Sequence, residues 1–379
     1  MTDAASSSAR ITGLTTRILR GGLPRAWDGG VRANHVVAVD VRCSDGVVGH
    51  GFSWTPRIGP RAVRSLLEHD LAPWATGRPA DPETLWDDAW AYLHEGGGGG
   101  LTTIALAGLD LALWDAAGRR ARAGVPDVVG RRTSDVATYA SGVNLDYELP
   151  DLLDQVGRWV DDGFDAVKIK IGSPDLTRDV TRVRAVRDVL GPDRALMVDA
   201  NQRWDLPTAQ HAIDTLAAFD LTWVEEPLRA DDTRGYAALA RTSPVPLAWG
   251  ENGHHVHRFR DMVDNAAAGV RILQPNIVRV GGYTPFLRIA LEAIAAGIEV
   301  APHLLPDLSA QAALTLPAPT RVESIDGAWL GDLGLLSAPS PVRRRGTRLE
   351  VARAPGWGLT FRGQRPADAG ASGDATAHR

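Results

Sequence analysis

The chain has 41 lysine and arginine residues among 379, yet only two are lysines, and they stand one residue apart as Lys168 and Lys170. Arginine supplies a permanent charge and is not deprotonated in a protein, whereas lysine can give up and take a proton. The stretch Ala166-Val167-Lys168-Ile169-Lys170-Ile171 alternates as a strand, with both lysines on one face and Val167, Ile169 and Ile171 on the other. Two ammonium groups so close repel, and partial desolvation also disfavours charge. At least one pKa is therefore expected to fall toward the range of a general base. A solvated edge strand with two surface lysines is the plain alternative, and the flanking Ile and Val argue against it.

Polar residues at strand ends recur downstream at intervals of about 26 residues, the length of one βα unit: Asp199, Glu225, Glu251, Asn276 and His303. Three carboxylates from three successive strand ends form a hard oxygen set that suits Mg²⁺, with water and substrate completing the shell. Taken singly, Asp199 and Glu225 read equally well as acids at helix N-termini, and Glu251 as a loop carboxylate. Asn201 shares the inward face with Asp199 and is a candidate contact for metal-bound water or substrate. A lone histidine at a strand end is commonly structural, but Asn276 one strand before His303 and Glu323 one strand after it make a catalytic trio. The tract His254-His255-Val256-His257 has no spacing for a tetrahedral metal site and reads as loop after Glu251, with His254 or His255 as a candidate substrate contact. Cys43 is the single cysteine, which excludes an internal disulfide and gives no thiolate metal site.

The elements that must position these residues alternate. From about Asp135, eight short β-rich runs, the first over 136–143 and the last over 321–325, are each followed by an amphipathic stretch. That pattern predicts an α/β fold, a (β/α)₈ TIM-type barrel over 134–330 whose catalytic face is the carboxyl ends of the strands. Residues 1–133 read as a separate α+β region. Strands are expected over 11–55 with a hairpin at Asp45-Gly46, and an apolar helix over 104–122 that Gly124-Val125-Pro126 ends. The glycine run 96–100 lacks the strand and helix context of a phosphate loop and reads as a surface loop. The stretch 364–379 reads as a disordered tail. A net charge of −5 and a pI near 6.1 argue against nucleic acid as a partner. With no signal-like h-region at the start and no apolar run of about 18 residues, no membrane is expected and a cytoplasmic location is.

The sequence resembles the enolase superfamily, mandelate racemase subgroup, along nearly its whole length. The resemblance is carried by Asp45-Gly46-Val47-Val48-Gly49-His50-Gly51, by 107–115 with Asp110 and Asp115, by Lys168-Ile169-Lys170, and by Asp199-Ala200-Asn201-Gln202. It continues through Glu225-Glu226-Pro227, Gly250-Glu251-Asn252, Gln274-Pro275-Asn276 with Gly281-Gly282, and Pro302-His303. The motifs are closest to acid-sugar dehydratases such as those acting on galactarate. The resemblance implies that 1–133 is an N-terminal capping domain, with 331–363 packing back on it. It implies that Asp199, Glu225 and Glu251 bind one Mg²⁺, that Lys170 is one acid/base catalyst assisted by Lys168, and that His303 is the other. Glu323 would hydrogen-bond the enolate, and Trp27 and Trp54 of the cap would help select the substrate. A small-molecule carboxylate substrate and a homo-oligomer are further expectations.

One residue departs from the family pattern. Asn276 stands where an aspartate usually partners the catalytic histidine. An amide can still accept a hydrogen bond from the imidazole N–H, but it brings no charge and can flip to favour the wrong tautomer, so His303 should be a weaker base. That penalises racemisation, which needs two bases, more than dehydration. The expected activity is Mg-dependent removal of the proton α to a carboxylate through an enediolate, with dehydration of an acid sugar foremost. A racemase or epimerase, a Schiff-base lysine aldolase and a non-catalytic barrel are the alternatives.

Overall fold

The computed structural model describes residues 9–27, 30–266 and 269–364. Three antiparallel strands, β1 (Ile11–Trp27), β2 (Val31–Cys43) and β3 (Val48–Thr55), form the first sheet. Its second turn falls at Asp45-Gly46, where Gly46 takes the left-handed φ of 83° that favours glycine. Helix α1 (Pro60–Ser65) runs through a π-helical turn (Leu66–Leu71) into α2 (Ala72–Ala75), and α3 (Pro82–Leu93) follows. Helix α4 (Leu101–Arg120) is long and apolar enough to cross a bilayer, yet 89% of that stretch is buried inside the protein. The reason is close packing: a Cβ on Gly49 or Gly51 of β3 would lie 2.0 or 2.3 Å from an α4 carbonyl oxygen, so the sheet rests directly on the helix backbone. The short α5 (Val125–Val129) closes this region.

Eight strands then alternate with helices. They are β4 (Asp135–Ser141), α6 (Leu149–Asp161), β5 (Ala166–Lys170), α7 (Leu176–Leu190), β6 (Ala195–Asp199), α8 (Leu206–Leu216), β7 (Leu221–Glu225), α9 (Thr233–Ala240), β8 (Leu247–Trp249), α10 (Val256–Ala266), β9 (Val270–Leu273), α11 (Tyr283–Ala295), β10 (Glu299–Val300), α12 (Pro306–Ala313) and β11 (Arg321–Ile325). The aspartates before α7, α8 and α9, namely Asp175, Asp205 and Asp232, each accept a backbone N–H of the first turn. All pairings from β4 to β10 are parallel; β11 pairs with β4, and the Thr320 hydroxyl bonds the Val300 carbonyl to join the ring on the other side. Tyr139, Ala166, Met197, Trp223, Ala248, Ile272 and Ala301 pack together inside as an apolar floor. The barrel is thus filled below and polar above.

After β11 the chain runs through turns rather than an eighth helix. It then forms the hairpin β12 (Val342–Arg345) and β13 (Arg348–Val351), which pairs antiparallel with the start of β4. Part of 331–363 therefore extends the barrel sheet. Other parts lie on the cap: the Phe361 ring sits 5.0 Å from that of Phe52, and the Trp357 N–H donates to Asp115 at 2.7 Å. Gln364, expected to open a disordered tail, is instead buried, its amide donating to Asp40 at 2.6 Å. The rest of that stretch, 365–379, lies outside the described residues.

Cap and barrel are joined through α4. Asp110 accepts from the Tyr283 N–H at 2.6 Å, the Thr284 N–H at 3.1 Å and the Thr284 hydroxyl, and so caps α11, whose own N-cap, Gly282, has no side chain to do it. A Cβ on Gly282 would lie 2.3 Å from the Asp110 carboxylate, so glycine is required there. Asp110→Ala strands these donors in the interior and is expected to cost about 2–3 kcal/mol of unfolding free energy, measured by urea denaturation. A loss under half a kilocalorie would show that the joint is held by other contacts.

Candidate active site at the carboxyl ends of the barrel strands

Strand register sets Lys170, Asp199 and Glu225 side by side on β5, β6 and β7. Both lysines point inward, as the alternation requires, and both are buried. Lys168 Nζ donates to both oxygens of Glu225 at 2.8 Å and lies 2.9 Å from Glu323 Oε1. Lys170 Nζ is hydrogen-bonded to Asp199 Oδ2. Asn201, in a left-handed conformation with φ 43°, donates its backbone N–H to Asp199 Oδ1 at 2.8 Å and so fixes that carboxylate.

Asp199, Glu225 and Glu251 each offer an oxygen within 4.8 Å of the others. Two further buried carboxyl groups, Glu226 and Glu323, surround them, against two lysines, one imidazole and the Arg279 guanidinium, which lies 3.8 Å from Glu251 Oε1. Burial, reinforced by the Asp199, Glu251 and Glu323 carboxylates, pushes Glu225 up to about 8 despite Lys168. A buried site with this surplus of negative charge fits a divalent cation.

The expected fall in a lysine pKa does not occur in this arrangement. Burial pulls both downward, but Glu225, Glu323 and Asp199 hold Lys168 well above the usual lysine range, and Asp199 raises Lys170. The carboxylates outweigh the repulsion between the two amines. Glu323 is held by the same cations. Burial would raise it, yet Lys168, His303 and Lys170 together bring it down to about 2. Glu323 accepts the Leu304 N–H at 3.0 Å and lies 2.9 Å from Lys168 Nζ.

His303 stands just past β10 with Nε2 3.0 Å from Glu251 Oε2. Its Nδ1 is 3.0 Å from Asn276 Nδ2. Asn276 Oδ1 is already engaged, accepting the Val278 and Arg279 N–H groups at 3.1 Å each, so the amide presents its NH₂ to the ring. The amide therefore donates to His303 rather than accepting from it, the flipped one of the two orientations open to an asparagine here. Nδ1 carries the lone pair and Nε2 the proton, which also suits the carboxylate beside Nε2.

Several neighbours escape a reading by spacing. Arg279 donates to the Glu251 carbonyl at 2.9 Å and to Asn252 Oδ1 at 2.5 Å. Gln274 donates to Glu225 Oε2 at 2.6 Å. Glu226, whose φ is 35°, accepts the Asn252 amide at 2.7 Å, and burial with Glu251 and Asp199 pushes it well above the usual carboxylate range. Glu226, Asn252 and Gln274 stand in the motifs Glu225-Glu226-Pro227, Gly250-Glu251-Asn252 and Gln274-Pro275-Asn276, whereas Arg279 carried no such signal. Trp54 reaches this site through Arg279, whose guanidinium lies 5.9 Å from its ring centre. Trp27 lines a cleft of about 380 Å³ with Arg25, Tyr147 and Asp326, just past the ends of β4 and β11. His254 and His255 line another cavity, of about 430 Å³, with Trp90, His94 and His257. Burial and Arg279 lower His254 to about 4.

Residues 26–130 match the mandelate racemase / muconate lactonizing enzyme N-terminal domain, and residues 151–365 match the enolase C-terminal domain-like family. The chain belongs to the mandelate racemase subgroup of the enolase superfamily. Within that superfamily it is 37% identical to a 3,6-anhydro-alpha-L-galactonate cycloisomerase of Streptomyces coelicolor, over 76% of this chain and 80% of the relative. An L-talarate dehydratase from Polaromonas sp. JS666, solved with Mg and L-glucarate, superposes with a TM-score of 0.85 at 34% identity, covering 94% of this chain and 96% of that one. A racemase from Streptomyces coelicolor A3(2) with bound magnesium superposes at 0.86 and 33% identity, covering 93% and 97%. These superfamily members span three reaction types on one fold.

Proposed function

We propose that this chain removes the proton α to a carboxylate with Lys170 as base, and that the reaction is the dehydration of an acid sugar. The observation that carries this reading is that two proton-carrying groups stand against different members of one acidic triad: Lys170 at Asp199, and His303 Nε2 at Glu251. Asp199, Glu225 and Glu251 would hold Mg²⁺, which when bound offsets their charge and that of a substrate carboxylate, and so weakens the attraction that keeps Lys170 protonated. Lys170 takes the α-proton. Lys168, locked to Glu225 and Glu323, stays charged where negative charge accumulates on the substrate. The electron pair left at the α-carbon forms the double bond and the β-carbon–oxygen bond breaks, the His303 Nε2–H donating a hydrogen bond to the departing hydroxide, which leaves as water with the proton that Lys170 removed. The enol so formed rearranges to a keto acid. Glu323 holds Lys168 in place.

The similarity to a cycloisomerase supports a second reading on the same residues. Where the β-oxygen belongs to a ring of the substrate, the same two proton transfers open the ring and the net change is isomerisation. Incubating the protein with Mg²⁺ and galactarate, other diacid and monoacid sugars, and their lactones or anhydro forms in D₂O, followed by NMR, separates the readings. A keto acid formed with loss of the α-proton is expected. Failure of every such acid to exchange or react, with borohydride trapping an adduct at Lys170, would overturn it in favour of Schiff-base chemistry.

Asn276 bears on the racemase alternative. Asn276→Asp places an acceptor at Nδ1–H and moves the lone pair to Nε2, making His303 a base. The variant is expected to exchange the α-proton of an acid epimerised through that face at least about 10-fold faster than wild type, read by loss of the ¹H signal in D₂O. Equal rates in the two proteins would remove the tautomer from the argument.

A further inference from the structure

The two oxygens of Glu225 are not equally free. Oε2 receives the Gln274 amide at 2.6 Å, Lys168 Nζ at 2.8 Å and the Trp223 indole N–H at 3.3 Å, whereas Oε1 receives Lys168 alone, also at 2.8 Å. A carboxylate offers about four lone-pair sites, two on each oxygen. Oε2 is therefore full, and Oε1 keeps one site open. Lys168 bonds both oxygens at the same distance, so the asymmetry comes from Gln274 and Trp223.

Gln274 makes this contact at a cost to itself. It is buried, its side chain forms this one bond among the described residues, and its own Oε1 has no hydrogen-bond partner among them. An unpaired buried amide oxygen is unfavourable. The opposite amide orientation would set that oxygen against a carboxylate oxygen, so Glu225 dictates which way Gln274 faces. Trp223 stands two residues before Glu225 on β7 and shares its inward face. It belongs to the apolar floor, where the Tyr139 ring meets it edge-on at 5.6 Å. The floor thus aims one N–H at the acid above it.

We propose that Gln274, with Trp223 behind it, is a positioning residue that holds back Oε2 of Glu225, leaves Oε1 alone for the cation, and thereby favours Mg²⁺ over Ca²⁺. Mg²⁺ demands a compact octahedron at about 2.0–2.1 Å and keeps several waters, so one oxygen from each carboxylate suits it. Ca²⁺ takes about six to eight oxygens at about 2.3–2.6 Å and gains from carboxylates that give both. An occupied Oε2 withholds the second oxygen. The proposal concerns the acidic triad as a metal site and is independent of which group takes the α-proton.

The test is calorimetric titration of the full chain, stripped by a chelator, with Mg²⁺ and with Ca²⁺ in wild type, Gln274→Met and Gln274→Met/Trp223→Phe. Methionine keeps the length of glutamine and removes its donor. Wild type is expected to bind Mg²⁺ more tightly than Ca²⁺. Gln274→Met should lower the ratio of the two affinities by about 3- to 10-fold, and the double variant, which leaves Oε2 to Lys168 alone, by more than about 10-fold. The metal-free thermal midpoint of Gln274→Met should stay level or rise, because the unpaired amide oxygen is gone. Trp223→Phe opens space in the floor; should the double variant fail to fold, the ratio in Gln274→Met decides. Both cations weakened alike in Gln274→Met would mark a structural role and overturn the proposal. So would an unchanged ratio, or a wild type that binds Ca²⁺ as tightly as Mg²⁺. Wild type binding neither cation would overturn the triad as a metal site, and this proposal with it.

Discussion

Lys170→Ala should lower kcat by about 10³- to 10⁴-fold on any acid the wild type turns over, and abolish α-proton exchange in D₂O. The amine is the group on β5 at the level of the triad, and among the described residues no other lysine but Lys168 exists to replace it. Lys168 is held by Glu225 and Glu323 and stands two residues below the level of Asp199 on its strand. Acid binding should survive, since the triad is untouched, which separates a lost base from a lost fold. Lys168→Ala should differ, because it releases Glu225 and Glu323 from their cation. Turnover within about tenfold of wild type in Lys170→Ala, measured under saturating acid, would assign the base elsewhere.

Removal of the metal should have an effect as large. A chelator is expected to abolish turnover, and Mg²⁺ to restore it. Glu225→Gln removes one of three triad carboxylates and should weaken Mg²⁺ by at least about 100-fold by calorimetry. The same substitution should leave the metal-free protein no less stable, because it relieves a crowded site. Linkage gives a pH signature. Glu225 is raised from 4.5 to about 8, so between those values the folded state binds more protons than the unfolded, and metal-free stability falls as pH rises through that window and levels above it. Glu225→Gln should flatten that slope. A Mg²⁺-independent enzyme, or a pH slope unchanged in Glu225→Gln, would break the link between the acidic cluster and a cation.

Much of this site was legible before any coordinates because its parts obey simple periods. Alternation with a spacing of two turned Lys168 and Lys170 inward, and the βα repeat of about 26 residues brought Asp199, Glu225, Glu251, Asn276 and His303 to one rim. What spacing did not carry was charge. Two lysines in isolation repel; facing Glu225, Glu323 and Asp199 across three other strands, they are held protonated. The type of residue 276 was plain, but the direction of its hydrogen bond depends on the backbone N–H groups of Val278 and Arg279 in the loop that follows. Arg279 itself lies off the repeat, in an irregular turn where no periodicity points. In the fold, the β12–β13 hairpin against β4 and the burial of Gln364 were hidden because each depends on a partner about 200 or more residues earlier.

The scarcity of lysine has a practical side. Both lysine amines are buried in the site, and every other basic side chain on the surface is an arginine or a histidine. A reagent that acylates or reductively methylates primary amines therefore meets no competing lysine on the outside. Any side-chain label such a reagent leaves reports when and how far the cap has admitted it.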